Sequence, residues 1–321
     1  MKKIYTSLDI GSDTIRILVS EYFNGKFRVL AVSSVRCKGY KAGIITDEAL
    51  FLERLKLAID DINSRIDVNI KKVILTIPAV NAEYNLVHGN TPIVNDEKMV
   101  TEKDMIRVRN SVINEIPPNM ELVNVTPIDF TIYENGSEIE TLKNPKNKIC
   151  DRLGIRAMLV TVPKSVIIPI IKMVEESNLE VVDLILEPIC DFEEVKAQEF
   201  LDCATCLINI GRETTTVSVF NKGIITNSSI LNIGSRVIDD DISYIYYTSR
   251  KNARKIKENF GIAHPNYANK NETYETRDVN GKLISINQYE LSKVINKRLV
   301  EILNVAKNEL KVLTNKQIRY I

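Results

Sequence analysis

The chain has 321 residues, which exceeds the length at which a single hydrophobic core usually stops growing, so two lobes or several subdomains are expected. Its 43 lysines and arginines nearly balance its 42 aspartates and glutamates, which argues against a nucleic-acid partner or direct attraction to an acidic membrane. The sequence contains no apolar run of the roughly 20 residues that a membrane-spanning helix needs, and no signal-peptide core, so we expect a cytoplasmic protein.

Cysteine and histidine residues give no signal for a metal site. The cysteines number five and follow no framework spacing. Cys203 and Cys206 form a CxxC pair, but the pair leads into a predicted strand and has no partner pair, so we interpret it as structural. His88 and His264 lie far apart in the sequence. No Ser/His/Asp or Cys/His arrangement predicts a nucleophile either.

The first segment predicts a β-β-β-α-β unit. Strands are expected over residues 3–9, 15–22 and 26–35, with an Asn24-Gly25 hairpin turn between the second and the third. Thr46 is expected to cap a helix whose apolar residues recur at spacings of three and four. A buried strand then follows over 71–77. This unit is one half of an α/β domain.

The sequence pattern changes between residues 81 and 159, and the new pattern predicts a small α+β insertion. A short helix is expected from Thr101 to Ile116, ended by Pro117-Pro118. Candidate strands surround it over 84–94, 122–133 and 155–162. The α/β pattern then resumes with a helix from Ser165 and a strand over 181–186.

The remainder predicts further helices around a small hairpin. Helices are expected from about Val237, near 250–260 and from Tyr289 to Leu310. Asn280-Gly281 predicts a hairpin turn between the last two. Another strand is expected to start at Arg319.

Two stretches about 200 residues apart share one plan, and we name them hairpin 1 (residues 8–17) and hairpin 2 (residues 208–217). In each, an apolar run leads to Asp9 or Asn209, then to Gly11 or Gly211, and hydroxyl side chains follow. Such a turn can direct backbone N–H groups and hydroxyls at a phosphate. A single hairpin of this kind is usually only a turn, but the duplication favours two phosphate-binding hairpins that face each other across a cleft.

Two half-domains that each open with such a hairpin are the plan of the actin, sugar-kinase and chaperone-ATPase superfamily. Over nearly its whole length, the chain resembles the bacterial cell-division FtsA family. The segments that carry the resemblance keep the family's order and spacing: hairpin 1, 41–45, 124–127, 153–154, 187–188 and 233–242. The insertion lies where FtsA carries its distinctive small subdomain. Pilus-assembly proteins of the PilM type share that insertion and remain an alternative.

The resemblance implies an α/β, actin-like (ribonuclease H-like) fold of two lobes. The first-lobe core would comprise residues 1–80 and 163–188, with the FtsA-type subdomain inserted at 81–162. The second-lobe core would comprise 189–235 and 300–321, and 236–299 would form its outer subdomain.

The resemblance also implies a site for ATP and Mg2+. Asp9 would hold the metal through water, and Glu187 would be the catalytic carboxylate that orients the attacking water. An alternative for Glu187, left open here, is that it only caps the helix that follows. The remaining nucleotide-binding residues implied are Gly11, Ser12, Thr14, Asn209, Gly211, Thr214, Thr215, Gly234 and Lys257.

Several residues depart from the family pattern. Asn209 replaces an aspartate, Arg212-Glu213 replaces two glycines and Thr216 replaces a second acid, while Arg254 and Lys255 stand where acids are common. Asn209 cannot supply the negative charge that helps to retain a magnesium hydration shell. The glycine-rich adenosine loop would lie beyond Ile321, as would the family's last strands and its membrane-binding amphipathic tail. We therefore expect either a fragment or a protein that has abandoned part of the site, with weakened binding of ATP and Mg2+.

The function implied by the resemblance is that of a scaffold. It would self-associate and link an FtsZ-like tubulin homologue to the membrane, reaching the membrane only indirectly or through the missing tail. Its place would be peripheral, at the inner face of the cell membrane at the division site. A competent actin-like ATPase switch and a PilM-type pilus assembly factor are the alternatives, and the sequence leaves enzymatic activity open.

Overall fold

The computed structural model describes residues 3–66, 69–113 and 116–321. In chain order, its strands and helices are β1 (Lys3–Ile10), β2 (Thr14–Phe23), β3 (Lys26–Arg36), β4 (Tyr40–Lys41), β5 (Ile44–Ile45), α1 (Glu48–Asn63), β6 (Lys72–Ile77), β7 (Glu83–Pro92), α2 (Glu102–Ser111), β8 (Met120–Glu134), β9 (Ser137–Leu142), β10 (Arg152–Pro163), α3 (Lys164–Glu176), β11 (Glu180–Leu186), α4 (Glu187–Val195), β12 (Ala204–Ile210), β13 (Thr215–Asn221), β14 (Ile224–Leu231), α5 (Arg236–Ile245), α6 (Arg250–Phe260), β15 (Thr273–Arg277), β16 (Leu283–Asn287) and α7 (Gln288–Leu313).

These elements form two compact units. Unit 1 comprises Met1–Leu207, Ser218–Ser229 and Lys316–Ile321, and unit 2 comprises Ile208–Val217 and Ile230–Asn315. Hairpin 1 therefore belongs to unit 1 and hairpin 2 to unit 2.

Unit 1 contains a five-stranded sheet in the order β11-β6-β1-β2-β3, in which β1, β6 and β11 run parallel. Helix α1 contacts β2 and β3 and buries the apolar stripe that its sequence predicts, including Phe51 and Leu55. Its N-cap is Asp47, whose carboxylate accepts a hydrogen bond from the N–H of Leu50 at 3.0 Å, and not Thr46 as predicted. Both residues are good caps, and the chain turns into the helix one residue later than the pattern suggested.

The insertion forms a second sheet in the order β7-β10-β8-β9, with α2 packed on β7 and β10. Helix α2 ends at Ser111 rather than at Ile116, because the N–H groups of Val112 and Ile113 bond to the carbonyls three residues back and tighten the last turn. Residues 114 and 115 of the predicted helix lie outside the described residues. Strand β9 was not predicted, since its largely exposed sequence lacks apolar alternation.

Strands β12, β13 and β14 form a three-stranded sheet in chain order. The strand predicted at the end of the sequence begins beside β12. The N–H of Arg319 donates to the carbonyl of Ala204 at 3.0 Å, and the N–H of Cys206 donates to the carbonyl of Tyr320 at 2.9 Å. Thr205 and Tyr320 form the corresponding parallel bridge, so this prediction is confirmed.

Unit 2 is mainly helical around a small hairpin. Helices α5, α6 and α7 and the β15-β16 hairpin share one apolar core, which includes Ile242, Ile256 and Leu291. The predicted turn at Asn280-Gly281 lies between β15 and β16, and Gly281 has a φ of +81°. Asn287 caps α7 by accepting hydrogen bonds from two N–H groups of its first turn. Within the described ranges, no helix has both the length and the apolar character needed to cross a membrane.

Candidate nucleotide site and its ion pairs

The two hairpins share the same backbone contact. The N–H of Gly11 donates to the carbonyl of Thr14 at 3.0 Å, and the N–H of Gly211 donates to the carbonyl of Thr214 at 2.9 Å. A β-carbon would lie 3.2 Å from that carbonyl oxygen at Gly11 and 3.1 Å from it at Gly211. The duplication that the sequence predicts is therefore also a duplication of backbone geometry.

Asp9 of hairpin 1 and Asn209 of hairpin 2 occupy equivalent positions, and only Asp9 is acidic. Asp9, at the end of β1, pairs with Arg16 of the neighbouring strand at 3.1 Å. Burial raises the pKa of Asp9, and the hydrogen bond from Arg16 opposes that rise. The hydroxyl of Ser12 accepts a hydrogen bond from the N–H of Ala42 at 2.9 Å, and the hydroxyl of Thr14 donates to Asp13 at 3.3 Å.

Glu187 is the first residue of α4 and is partly buried. Burial raises the pKa of Glu187 to about 7, and the negative charges of Asp191 and Asp9 add to this rise. Unit 1 thus brings the predicted metal residue and the predicted catalytic residue into one electrostatic environment. The N-cap of α4 is Leu186 and not Glu187, although a carboxylate in the first turn still interacts favourably with the helix dipole.

Hairpin 2 uses its hydroxyl and carbonyl groups within unit 2. Asn209 is the penultimate residue of β12. The hydroxyl of the buried Thr215 donates to the carbonyl of Ile233 at 2.8 Å, and the carbonyl of Thr214 accepts the Gly211 bond. These contacts fix the hairpin against the segment that precedes α5.

Gly234 allows a close approach between that segment and hairpin 2. A β-carbon on Gly234 would lie 2.5 Å from the carbonyl oxygen of Arg212. The next two N–H groups donate to hairpin carbonyls, Ser235 to Gly211 at 2.8 Å and Arg236 to Arg212 at 2.9 Å. The resemblance implies that Gly234 binds nucleotide, and its observed surroundings are the backbone of hairpin 2.

Arg212 and Glu213, the two residues that follow Gly211, are both ion-paired. Arg212 pairs with Asp239 at 3.1 Å, and Lys257 pairs with the other oxygen of the same carboxylate at 2.7 Å. Lys257 also donates to the carbonyl of Ser235 at 3.2 Å. The side chain of Asp239 is 1% exposed, so the two ion pairs offset the free-energy cost of burying its charge.

A second group of ion pairs begins at Glu213, which also lies 3.9 Å from Arg212 and so connects the two groups. Its carboxylate pairs with Arg236 at 2.9 Å, and Arg236 also pairs with Asp240 at 2.8 Å. Asp240 in turn pairs with Arg250 at 2.7 Å. Both carboxylates at the start of α5 therefore neutralise cations near hairpin 2.

Asp239, Asp240 and Arg236 were not predicted from the sequence as members of this region. The available signal was the acidic run 239–241 within a segment that resembles the family's connecting motif, in a chain whose hairpin carries Arg212. Charge complementarity between the two could have been proposed, but about 25 residues separate them and spacing alone cannot pair them. In unit 1, the same applies to Tyr40, whose pKa is raised by burial and by the charge of Glu187.

The residues of unit 2 do not fit the site that the resemblance implies for Mg2+ and ATP. Lys257 and Arg212 are both engaged in ion pairs with the carboxylate of Asp239, and Asn209 supplies no charge. Unit 1 retains a carboxylate at Asp9 and hydroxyls at Ser12 and Thr14, which suit a hydrated cation and a phosphate. In the part of the chain that the structure describes, no three His, Cys, Asp or Glu side chains lie close enough together to hold a metal ion directly.

Comparison with solved structures identifies the class of protein. A PilM-PilN type IV pilus biogenesis complex matches with a TM-score of 0.58 at 14% identity, over 96% of this chain and 76% of the other. MreB 5 of Spiroplasma citri bound to AMPPNP matches with a TM-score of 0.53 at 16% identity, over 98% and 80%. These likenesses concern the fold alone, and they confirm the predicted α/β, actin-like class.

Sequence comparison finds similarity to one family of proteins. A family model described as "Cell division protein FtsA" matches residues 206–315. Proteins of that name from Enterococcus hirae and Bacillus subtilis are 29% and 25% identical over 96% of this chain. The chain spans about two thirds of the length of these relatives, 69% and 70% respectively. The chain is similar to FtsA proteins over most of its length, as the resemblance predicted.

Proposed function

We propose that this chain is an FtsA-like cell-division scaffold that self-associates and links an FtsZ-like tubulin homologue to the membrane at the division site. The observation that carries the proposal is the similarity to proteins named cell division protein FtsA, which extends over 93 to 96% of this chain. Self-association, the tubulin-like partner and the membrane link are inferred from that similarity.

The ion pairs of hairpin 2 favour a scaffold over an enzyme. Arg212 and Glu213 hold charged side chains where phosphate would approach the backbone, and both are paired within unit 2. Asn209 adds no charge for a metal. We therefore expect weak ATP binding, well short of micromolar, and little dependence on Mg2+.

Unit 2 offers a surface that suits the tubulin-like partner. Tyr244 and Tyr247 are 82% and 70% exposed, and Val279 is 63% exposed. The N–H of Val279 donates to the carbonyl of Tyr247 at 2.8 Å, so these two residues adjoin. Tyrosine is enriched at protein interfaces, because it combines apolar area with a hydrogen-bonding hydroxyl.

The test is co-sedimentation with polymers of an FtsZ-like tubulin homologue. We expect the double variant Tyr244→Ala, Tyr247→Asn to bind at least about tenfold more weakly, the range of two interface tyrosines. Asparagine is chosen because position 247 has a φ of +49°, which asparagine tolerates. Tyr267→Ala is the matched control, since Tyr267 is 84% exposed but lies in another segment. No binding by the parent chain would contradict the proposed function. An equal loss of binding in the control would contradict the assignment of Tyr244 and Tyr247 to the binding surface.

A competent ATPase switch is the second candidate, and Glu187 is the observation that favours it. A carboxyl with a pKa of about 7 is well matched to proton transfer near neutral pH. Phosphate release from ATP with Mg2+, abolished by Glu187→Gln, would establish this alternative. A PilM-type role has support from the fold alone, and a gene neighbourhood of pilus components would favour it.

A further inference from the structure

The buried carboxylate of Asp239 lies between two cations from different parts of unit 2. One carboxylate oxygen is 3.1 Å from Nη1 of Arg212, in hairpin 2, and the other is 2.7 Å from Nζ of Lys257, in α6. The carboxylate is 1% exposed, whereas the Arg212 and Lys257 side chains are 26% and 17% exposed. The Asp239 carboxylate is therefore enclosed, and the more exposed Arg212 and Lys257 side chains lie against it.

A guanidinium and an ammonium group that converge on one enclosed anion form the arrangement that proteins use for phosphate groups. Here the guanidinium belongs to a glycine-turn hairpin whose twin in unit 1 has the same Gly-to-Thr bond. The anion that these two cations hold is supplied by the chain itself. A phosphate at the same place would compete with the carboxylate of Asp239.

Other contacts join hairpin 2 to the start of α5. Backbone bonds join Ser235 to Gly211 and Arg236 to Arg212, at 2.8 and 2.9 Å. The Glu213–Arg236 ion pair at 2.9 Å adds a side-chain link between the same two segments. Hairpin 2 is thus fixed to the start of α5 by groups that belong to unit 2.

We propose that Asp239 is a built-in anion that replaces a bound phosphate at hairpin 2. Its carboxylate fills a latent oxyanion site formed by Arg212 and Lys257 and links hairpin 2 to α5 and α6. Removal of that one negative charge allows Arg212 and Lys257 to bind a small phosphate anion. The proposal concerns unit 2 alone and does not depend on the division role.

The test is titration of the whole chain with inorganic pyrophosphate in metal-free buffer, read by calorimetry and by the melting temperature. We expect the parent chain to show no saturable binding and no rise in melting temperature. Asp239→Asn should melt at a lower temperature without ligand, show the saturable pyrophosphate binding that the parent lacks and recover melting temperature on binding. Asp240→Asn is the control, because it removes the same charge from the same helix but leaves both Asp239 ion pairs in place.

A charge-balanced second variant guards against failure of Asp239→Asn to fold. In Arg212→Gln/Asp239→Asn, one cation leaves with the anion, so we expect greater stability than in Asp239→Asn alone and no gain of pyrophosphate binding. Three outcomes would overturn the proposal. They are equal pyrophosphate affinity of the parent and Asp239→Asn, an equal gain in Asp240→Asn, and a double variant no more stable than Asp239→Asn.

Discussion

Gly234 lies so close to Arg212 that a β-carbon on Gly234 would be 2.5 Å from the carbonyl oxygen of Arg212. The obstructing atom belongs to the backbone, which hydrogen bonds on either side hold in place. We predict that Gly234→Ala lowers the free energy of unfolding by about 2 kcal/mol, the usual scale of overpacking. Urea denaturation would measure it.

Gly211→Ala is the matched comparison for that change. There the β-carbon would lie 3.1 Å from the nearest atom, so a shift of a few tenths of an ångström relieves the contact. We expect a smaller loss of stability than in Gly234→Ala. Equal losses would mean that the approach of Gly234 to hairpin 2 is not the cause.

The raised pKa of Glu187 predicts a stability that depends on pH. The folded chain keeps a proton on Glu187 up to about pH 7, while the unfolded chain releases it near the ordinary value of 4.5. The folded state therefore binds more protons within this window, so this group's contribution to the free energy of unfolding falls as pH rises.

Glu187→Gln should remove that contribution. Relative to the parent chain, we expect the variant to gain about 2 kcal/mol between pH 5 and pH 8, somewhat less than the full shift in pKa would give. Urea denaturation of both proteins at several pH values would measure the difference. Parallel pH profiles would show that Glu187 ionises normally in the folded chain.

Asn209→Asp is expected to restore negative charge to hairpin 2. If the missing charge limits the metal, Mg2+-dependent ATP binding should strengthen by about 1 to 2 kcal/mol, the scale of a charge-assisted contact. Calorimetric titrations with and without Mg2+ would measure the gain. Asn304→Asp adds the same charge on the exposed side of α7 and should leave Mg2+-dependent ATP binding unchanged. Equal ATP affinities of the parent chain and Asn209→Asp would favour the competent ATPase.

The hydroxyls of Tyr84 and Ser228 form a hydrogen bond within unit 1 that joins β7 to β14. Burial raises the pKa of Tyr84 to about 12. We predict that Tyr84→Phe lowers the free energy of unfolding by about 1 kcal/mol. Ser228→Ala should cost at least as much, because it leaves the buried tyrosine hydroxyl without this partner. In a double-mutant cycle the two losses should not add, whereas additive losses would show that the bond contributes no stability.

Elements with strong local patterns were predicted closely from the sequence. Helix α6 was expected near residues 250–260 and spans Arg250–Phe260, because its apolar spacing and the Ser249 cap are local features. The end of α2 and strand β9 were missed because their local signals are weak. Helix α2 ends through a tightened last turn, and β9 is stabilised by pairing with β8, which brings together residues such as Phe130 and Leu142.

The proposed facing of Gly11 and Gly211 across a cleft stays a prediction, as do the nucleotide-binding roles and the domain boundaries. The sequence by itself determined the two glycine hairpins, since each depends on about ten consecutive residues and on one bond between residues three apart. It also determined the resemblance that the comparisons support.

Only the tertiary structure decided which charges meet. Arg212, Asp239 and Lys257 are separated by 27 and 18 positions, and no periodicity relates them. The packing of α5 and α6 in the core of unit 2 brings the Asp239 carboxylate and the Lys257 ammonium group together. The backbone hydrogen bonds from Ser235 and Arg236 then hold hairpin 2, with Arg212, beside them. An ion pair of this kind depends on distances of about 3 Å, which sequence patterns do not encode but a packed core fixes.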